Sequence, residues 1–276
     1  MTKIKGIDVS GYQGNIDFKK VKASGVEFVI IKIGGYDKKT VPSFETFYKD
    51  AKSAGLHVGG YWYTYAMSPE EAKSDSAACI DALKGKQFDY PVFLDLEEPD
   101  HFKLGKNVCS QIVTAFCSAL ENAGFFAGLY MSRYYLETYI SPEVRQKYAL
   151  WIAEYSSVCR YSGDFGIWQY GTGSVPGVPA VCDLDYCYVD YPEIITKGGF
   201  NGYNAPISPI PPEAAVKEGG SVRIKNGAKT YDGQKLAPFV YDRIYFVSEI
   251  SGDRAVVVYR GVVVAAVNVR DLTAAP

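Results

Sequence analysis

The apolar positions of this chain fall into short runs separated by amphipathic stretches, and the two alternate over roughly the first 190 residues. Ile4–Val9, Phe28–Ile33, His57–Ala66, Tyr90–Glu98, Phe125–Met131, Tyr148–Glu154, Phe165–Tyr170 and Val181–Tyr186 are each of strand length. Near-continuous apolar runs of this kind mark strands that are covered on both faces. Between them, Phe18–Ser24, Ser43–Ala54 and Val108–Ala123 repeat apolar residues at helical spacing, and Gly25, Gly55 and Gly124 stop them. Ser68-Pro69-Glu70-Glu71 is a helix start, with serine at the cap, proline in the first turn and glutamate three residues after the cap. Strands followed by helices predict an α/β fold with a mostly parallel sheet. The span is short for a full barrel of ~250 residues, and the later connections are too brief for whole helices. The expectation is therefore an irregular or incomplete (β/α) barrel. The competing fold, an open doubly wound sheet, lacks its GxGxxG signature after the first strand.

The pattern breaks at Gly198–Val216, which holds Pro206, Pro209, Pro211 and Pro212 and reads as a stiff, extended linker. Beyond it, Ser221–Ile224, Ile244–Ile250, Ala255–Tyr259 and Val262–Val267 are short β segments punctuated by Asn226-Gly227, Asp232-Gly233, Gly252-Asp253 and Gly261. The expected division is a first domain over 1–197, a linker over 198–216 and a small all-β barrel over 217–276. Such modules usually bind ligands; an oligomerisation cap is the other reading.

Composition narrows the function. The net charge of −2 over 276 residues argues against a nucleic-acid binder and gives no pull toward an anionic membrane. No apolar run approaches the roughly 20 residues that span a bilayer. The opening MTKIKGIDVS reads as a strand and not as a signal peptide, so synthesis in the cytoplasm without an export leader is expected. Six cysteines without a CxxC pair, and only His57 and His101, do not make a zinc site; the thiols are expected to be reduced and structural. Twenty-three tyrosines stand out, since a flat ring with a polar tip suits both half-buried strand positions and stacking on sugars.

The candidate chemistry centres on Tyr90–Glu98 (YPVFLDLEE), where an apolar run delivers Asp95 and Glu97. Alternate residues of a strand share a face, so the two carboxylates project together, while Glu98 is out of phase. Burying two acids side by side is costly and is accepted where acid/base chemistry is done; the plain alternative is a strand running into an acidic loop. Barrel enzymes gather their chemistry at the C-terminal ends of strands. Here those ends carry Asp8, Asp95, Glu97, Asp183 and Asp185, a set suited to a divalent cation or to glycoside hydrolysis. Tyr130, Lys32 and Trp168 are further cleft candidates. An edge lysine at 32 and a barrel-filling tryptophan at 168 are the competing readings. His101 is expected to be a structural loop residue.

GIDVSGYQGNIDF, GGYWYTYA, PVFLDLEE, GLYMSRYY, LWIAEY, GIWQYG and VCDLDY, in this order, resemble glycoside hydrolase family 25, the lysozyme-type muramidases common among phage endolysins. The resemblance covers roughly residues 3–192. The C-terminal segment, with NGAKTYDGQKLAPFVYDRIYFV and GDRAVV, resembles Src-homology-3-like wall-binding modules. The resemblance implies a peptidoglycan hydrolase that cuts the β-1,4 bond between N-acetylmuramic acid and N-acetylglucosamine and needs no cofactor or metal. It is expected to act on the cell wall after release. Glu97 matches the general acid, Asp95 the carboxylate that steadies the intermediate, and Asp8 and Asp183 the other acids of the floor. Tyr61 and Tyr63 match positions that hold the N-acetyl group and sugar. Asp185 stands where many relatives have asparagine. In this reading Glu97 is protonated near neutral pH and Asp95 stays nearer to ionised. Direct nucleophilic attack and attack by the substrate's own acetamido oxygen both remain open. A catalytically silent wall-binding protein on the same fold is the alternative function.

Overall fold

The structure, a computed structural model, describes residues 3–203, 216–259 and 261–275. These fall into two compact units, divided between Pro206 and Ile207.

The first unit is a closed barrel whose eight strands follow one another in chain order: β1 (Ile4–Val9), β2 (Phe28–Gly34), β3 (His57–Tyr63), β4 (Val92–Asp95), β5 (Ala127–Ser132), β6 (Ala149–Ala153), β7 (Ile167–Gly173) and β8 (Cys182–Cys187). Helices α1 (Phe18–Ala23), α2 (Phe44–Ser53), α3 (Pro69–Leu83), α4 (Pro99–Lys103), α5 (Gly105–Asn122), α6 (Arg133–Tyr139) and α7 (Pro142–Lys147) fill the connections from β1 to β6, and α8 (Tyr191–Gly198) follows β8. The barrel is complete where an incomplete one was an open expectation, and its irregularity lies in the last strand. β8 runs antiparallel to both β7 and β1, while the other neighbours are parallel. A parallel return needs a crossover of a dozen or more residues. Residues 174–181 are too few, so β8 folds straight back.

Strand alternation sorts the side chains into two layers. Outward residues such as Ile7, Val29, Ile31, Val58, Leu94, Leu129 and Ile152 pack with the helices in one large core. Inward residues Phe28, Ile30, Tyr61, Phe93, Trp151 and Ile167 form a second core inside the barrel, joined by Tyr90 and Tyr191. Phe28 stacks on Tyr90 with centroids 4.4 Å apart. Gly6 makes room for this filling, since a Cβ there would lie 2.1 Å from the Phe28 ring. The apolar plug matters for function because it closes one end of the barrel and leaves the other for polar groups. All six cysteines are unpaired.

The first unit continues past 197, so residues 198–203 do not belong to a linker. Asn201 is fully buried. Its amide accepts from the Phe126 N–H (2.7 Å) and donates to the carbonyls of Tyr90 (2.8 Å) and Phe88 (3.2 Å). Tyr203 donates to Asp89 (2.6 Å), which also pairs with Lys52 (2.8 Å). The remainder of the expected linker, 204–215, lies outside the described residues.

The second unit is all-β. Strands β9 (Ser221–Ile224), β10 (Ile244–Ser251), β11 (Arg254–Tyr259), β12 (Val262–Asn268) and β13 (Leu272–Ala274) form an antiparallel sheet in the order β12-β11-β10-β9-β13. Its own core comprises Val222, Ile224, Val240, Tyr245, Val247, Ala255, Val257, Ala265, Val267 and Leu272.

Replacing Asn201 with alanine leaves a buried N–H and two carbonyls without their partner, at a cost of about 1–3 kcal/mol for each group left unsatisfied. Chemical denaturation of Asn201→Ala is expected to show a loss of several kcal/mol; a midpoint equal to that of the parent would show the clasp to be incidental.

Candidate active site

The open end of the barrel is built by the same alternation. Gly6 and Asp8 on β1, Ile30 and Lys32 on β2, Tyr61 and Tyr63 on β3, Phe93 and Asp95 on β4, Tyr130 on β5, Trp151 on β6, Gln169 on β7, and Asp183 and Asp185 on β8 share the inward phase. Asp8 lies directly opposite Asp183 across the β1–β8 pairing, and Asp95 opposite Tyr63 and Tyr130 on its two sides. Glu97 continues the phase of Asp95 just beyond the end of β4 and interacts electrostatically with it. The fold thus brings Asp8, Lys32, Tyr61, Tyr63, Asp95, Glu97, Tyr130 and Asp183 to one end of the barrel. It does not bring Trp168 there. That side chain has the outward phase, beside Tyr170 and Tyr186.

Asp95 is buried, and its Oδ1 has no hydrogen-bond partner among the described residues. Burial first, and then the charge of Glu97, push its carboxyl well above the ordinary carboxylate range, while Lys32 opposes them. Glu97 is also raised, by burial and by the charges of Glu98 and Asp183, again against Lys32. The expected division, with a raised Glu97 beside a hydrogen-bonded Asp95, differs in one respect: Asp95 is raised as well, and its buried oxygen has no donor among the described residues. Burial therefore favours the protonated form of Asp95 most strongly, and Glu97, exposed at its surface, is shifted in the same direction.

The β1–β8 side is better furnished. Gln169 donates to Asp8 (2.8 Å) and accepts from the Tyr130 hydroxyl (3.0 Å). Trp151 donates to Asp185 (2.8 Å), and Tyr155 donates to Asp183. Asp8 is nevertheless raised to about 7, chiefly by burial and then by Asp183. Asp185 is pushed up by burial and by the charge of Asp8. The residue in doubt from the sequence is therefore a buried acid within the field of Asp8.

Three placements differ from the sequence reading or were missed by it. Glu98 does not point away: it accepts from the Tyr63 hydroxyl (2.7 Å), and its charge adds to the field on Glu97. Gln169 went unremarked, although it is the lone polar residue among the inward positions of its run. Tyr155 lies in the loop after β6, where no periodicity could place it. That loop is braced by Glu154, which pairs with Arg133 (3.0 Å) and Arg160 (2.8 Å) and whose carbonyl accepts from the Trp168 indole (2.9 Å). Trp168 thus supports the residue next to Tyr155 from behind. Lys32 is no edge lysine: its ammonium lies 4.4 Å from the centre of the Tyr63 ring and 5.8 Å from that of Tyr61. His101 is fully buried in α4. Among the described residues no group of three or more His, Cys, Asp and Glu side chains is arranged to hold a metal ion.

The raised acids tie stability to pH. Asp8 keeps its proton in the folded state to about pH 7, against an ordinary value of 3.8. Between those limits the folded state binds more protons than the unfolded one, so stability falls as pH rises. Asp8→Asn removes this contribution. It is expected to raise Tm at about pH 8 by several degrees and to flatten the decline from about pH 5. A variant with the parent's slope in thermal melts would contradict the burial of that charge.

With the geometry in place, the chain can be set beside known proteins. The sequence profile of Glycosyl hydrolases family 25 matches residues 7–178. The Autolytic lysozyme of Clostridium acetobutylicum is 32% identical over 200 residues, which are 71% of this chain and 58% of that protein. The chain thus spans less than two thirds of the length of this relative. Among solved structures, the modular autolysin LytC of Streptococcus pneumoniae superposes with a TM-score of 0.62 at 24% identity, over 67% of this chain and 47% of that one. A muramidase from Trichobolus zukalii does so with a TM-score of 0.58 at 24% identity, over 67% of this chain and 94% of that one. At that identity the structures speak for the fold, and the profile match extends over more than half of the sequence: the chain belongs to glycosyl hydrolase family 25.

Proposed function

We propose that this chain is a peptidoglycan hydrolase of the lysozyme type, cutting the β-1,4 bond between N-acetylmuramic acid and N-acetylglucosamine. The observation that carries the reading is the pair Asp95 and Glu97 at the mouth of a plugged barrel, the first buried and the second exposed. The kinship with an autolytic lysozyme supports the same substrate class.

In this reading Glu97 donates its proton to the glycosidic oxygen as the bond to the anomeric carbon breaks. The upward shift of its carboxyl favours the protonated form that this step needs. The substrate's acetamido oxygen attacks the anomeric carbon and gives a cationic oxazolinium. A positive charge arriving beside Asp95 is stabilised by its carboxylate, whose ionised form the Lys32 ammonium favours. Water then opens the ring, returning a proton to Glu97. Tyr61, edge-on to Trp151 at 6.1 Å, is suited to contact the acetamido group, whereas the Tyr63 hydroxyl is already committed to Glu98. Asp8, Asp183 and Asp185 line the opposite wall, where Gln169 and Tyr155 hold them in register.

The second unit is proposed to be a wall-binding module. A polar hollow of about 710 Å³ is lined there by Lys225, Asn226, Tyr231, Asp253, Asn268 and Arg270, groups able to bond sugar hydroxyls or peptide carboxylates.

Glu97→Gln is expected to lower the release of reducing ends from Gram-positive walls by about a hundredfold or more, with wall binding kept. Undiminished lysis would overturn the assignment, and a parent chain that binds walls without releasing reducing ends would instead favour a silent binding protein. Residues 217–276 fused to a fluorescent protein are expected to label the walls that the whole chain lyses; unlabelled walls would count against the module.

A further inference from the structure

Strands β1, β2 and β3 end side by side at the mouth of the barrel, and the segment after each lifts a tyrosine into solvent. Tyr12 is 90% exposed, Tyr36 79% and Tyr65 45%. One exposed tyrosine needs no explanation, but these are arranged. Tyr36 meets Tyr65 edge-on with centroids 5.9 Å apart, and Tyr65 lies 5.1 Å from Tyr63. Tyr63 is hydrogen-bonded to Glu98, the neighbour of Glu97. A continuous run of rings therefore leads from the acids to the rim. Tyr12 lies near enough to Tyr65 to act on its hydroxyl electrostatically.

The loop that carries Tyr36 is built at a conformational cost. Gly35 has φ of 151° and packs on the Tyr63 carbonyl, whose oxygen a Cβ would approach to 2.0 Å. Asp37 and Lys38 follow with φ of 52° and 55°, a left-handed conformation that side chains disfavour. Backbone bonds from Gly35 N to the Lys39 carbonyl and from Val41 N to the Ile33 carbonyl clamp this turn between β2 and α2. Strain of this kind persists only where the surroundings impose it, and its product here is a ring held out at the cleft edge. A hollow of about 280 Å³ next to Tyr65 is lined also by Asp37, Lys38, Glu71 and Asp75. An aromatic face beside carboxylates and an ammonium is the combination that a pyranose needs: C–H groups for the ring, hydroxyls for the charges.

We propose that Tyr36 and Tyr65 form a platform that stacks a further sugar ring of the glycan strand, outside the acid cluster. This rests on the reading of the acids as the place where that strand is cut. Without the platform, the substrate would be gripped only where the bond is broken; with it, longer strands bind better.

Two measurements test the platform on the whole chain. The first is kcat/KM for soluble wall-glycan oligosaccharides of increasing length, read from new reducing ends. The gain with length is expected in the parent and in Tyr36→Phe and Tyr65→Phe, and to shrink by about three- to tenfold in Tyr36→Ala and Tyr65→Ala. Alanine variants that keep the parent's length dependence would overturn the platform. The second uses Tyr36→Trp combined with Glu97→Gln, and reads the added indole's emission as oligosaccharide is titrated. A saturable change, absent from Glu97→Gln alone, supports stacking even where the parent chain releases no reducing ends, a result that would sink the acid assignment by itself. Emission indifferent to millimolar oligosaccharide would refute the platform while leaving the acids untouched.

Discussion

Desolvation of clustered carboxyls is the constraint on which the rest of the barrel unit depends. Asp8, Asp95 and Asp185 are buried, and Glu97 stands beside them. An isolated charge in such a place is so costly that the group keeps its proton instead. The apolar plug beneath, with Phe28, Phe93 and Trp151, withholds water from that side. Lys32 is the counterweight: its field favours ionisation of Asp95 and Glu97 without an ion pair that would fix either as a permanent carboxylate.

The two walls of the site are built differently. On the β1–β8 side each acid has a named donor: Gln169 for Asp8, Trp151 for Asp185 and Tyr155 for Asp183. One buried oxygen of Asp95 on the β4 side, like one of Asp185, has no partner among the described residues. The fixed hydrogen bonds to Asp8, Asp183 and Asp185 make the β1–β8 side the more rigid wall. The antiparallel β8 is what closes the rigid wall, since it lays Asp183 directly against Asp8. The one irregularity of the barrel is therefore also the feature that assembles its second acid group.

Much of this was legible in the chain. Period-two alternation placed Asp95 and Glu97 together, and runs bounded by glycine gave most strands of both units. What was missed follows from where alternation stops applying. β4 ends at Asp95, so Glu98 is governed by the turn into α4 and not by strand phase, and its side chain swings to Tyr63. Trp168 was kept as a sugar contact on residue type, although its neighbour Gln169 holds the inward phase and the two cannot share a face. The reversal at β8 had a signal in the eight residues available for the connection. Tyr155 and the clamp around Glu154 had none, since loop contacts between distant residues leave no local period. The three-residue β13 is too short to show one.

The central claim is that protons are held at the acid cluster by burial. Carboxyl-carbon nuclear magnetic resonance titration of the whole chain, with Glu97→Gln and Asp95→Asn to assign the signals, tests it most directly. The expected result is that Asp95 and Glu97 stay protonated above the ordinary range, whose reference values are 3.8 and 4.5. Both carboxyls titrating at those ordinary values would contradict it.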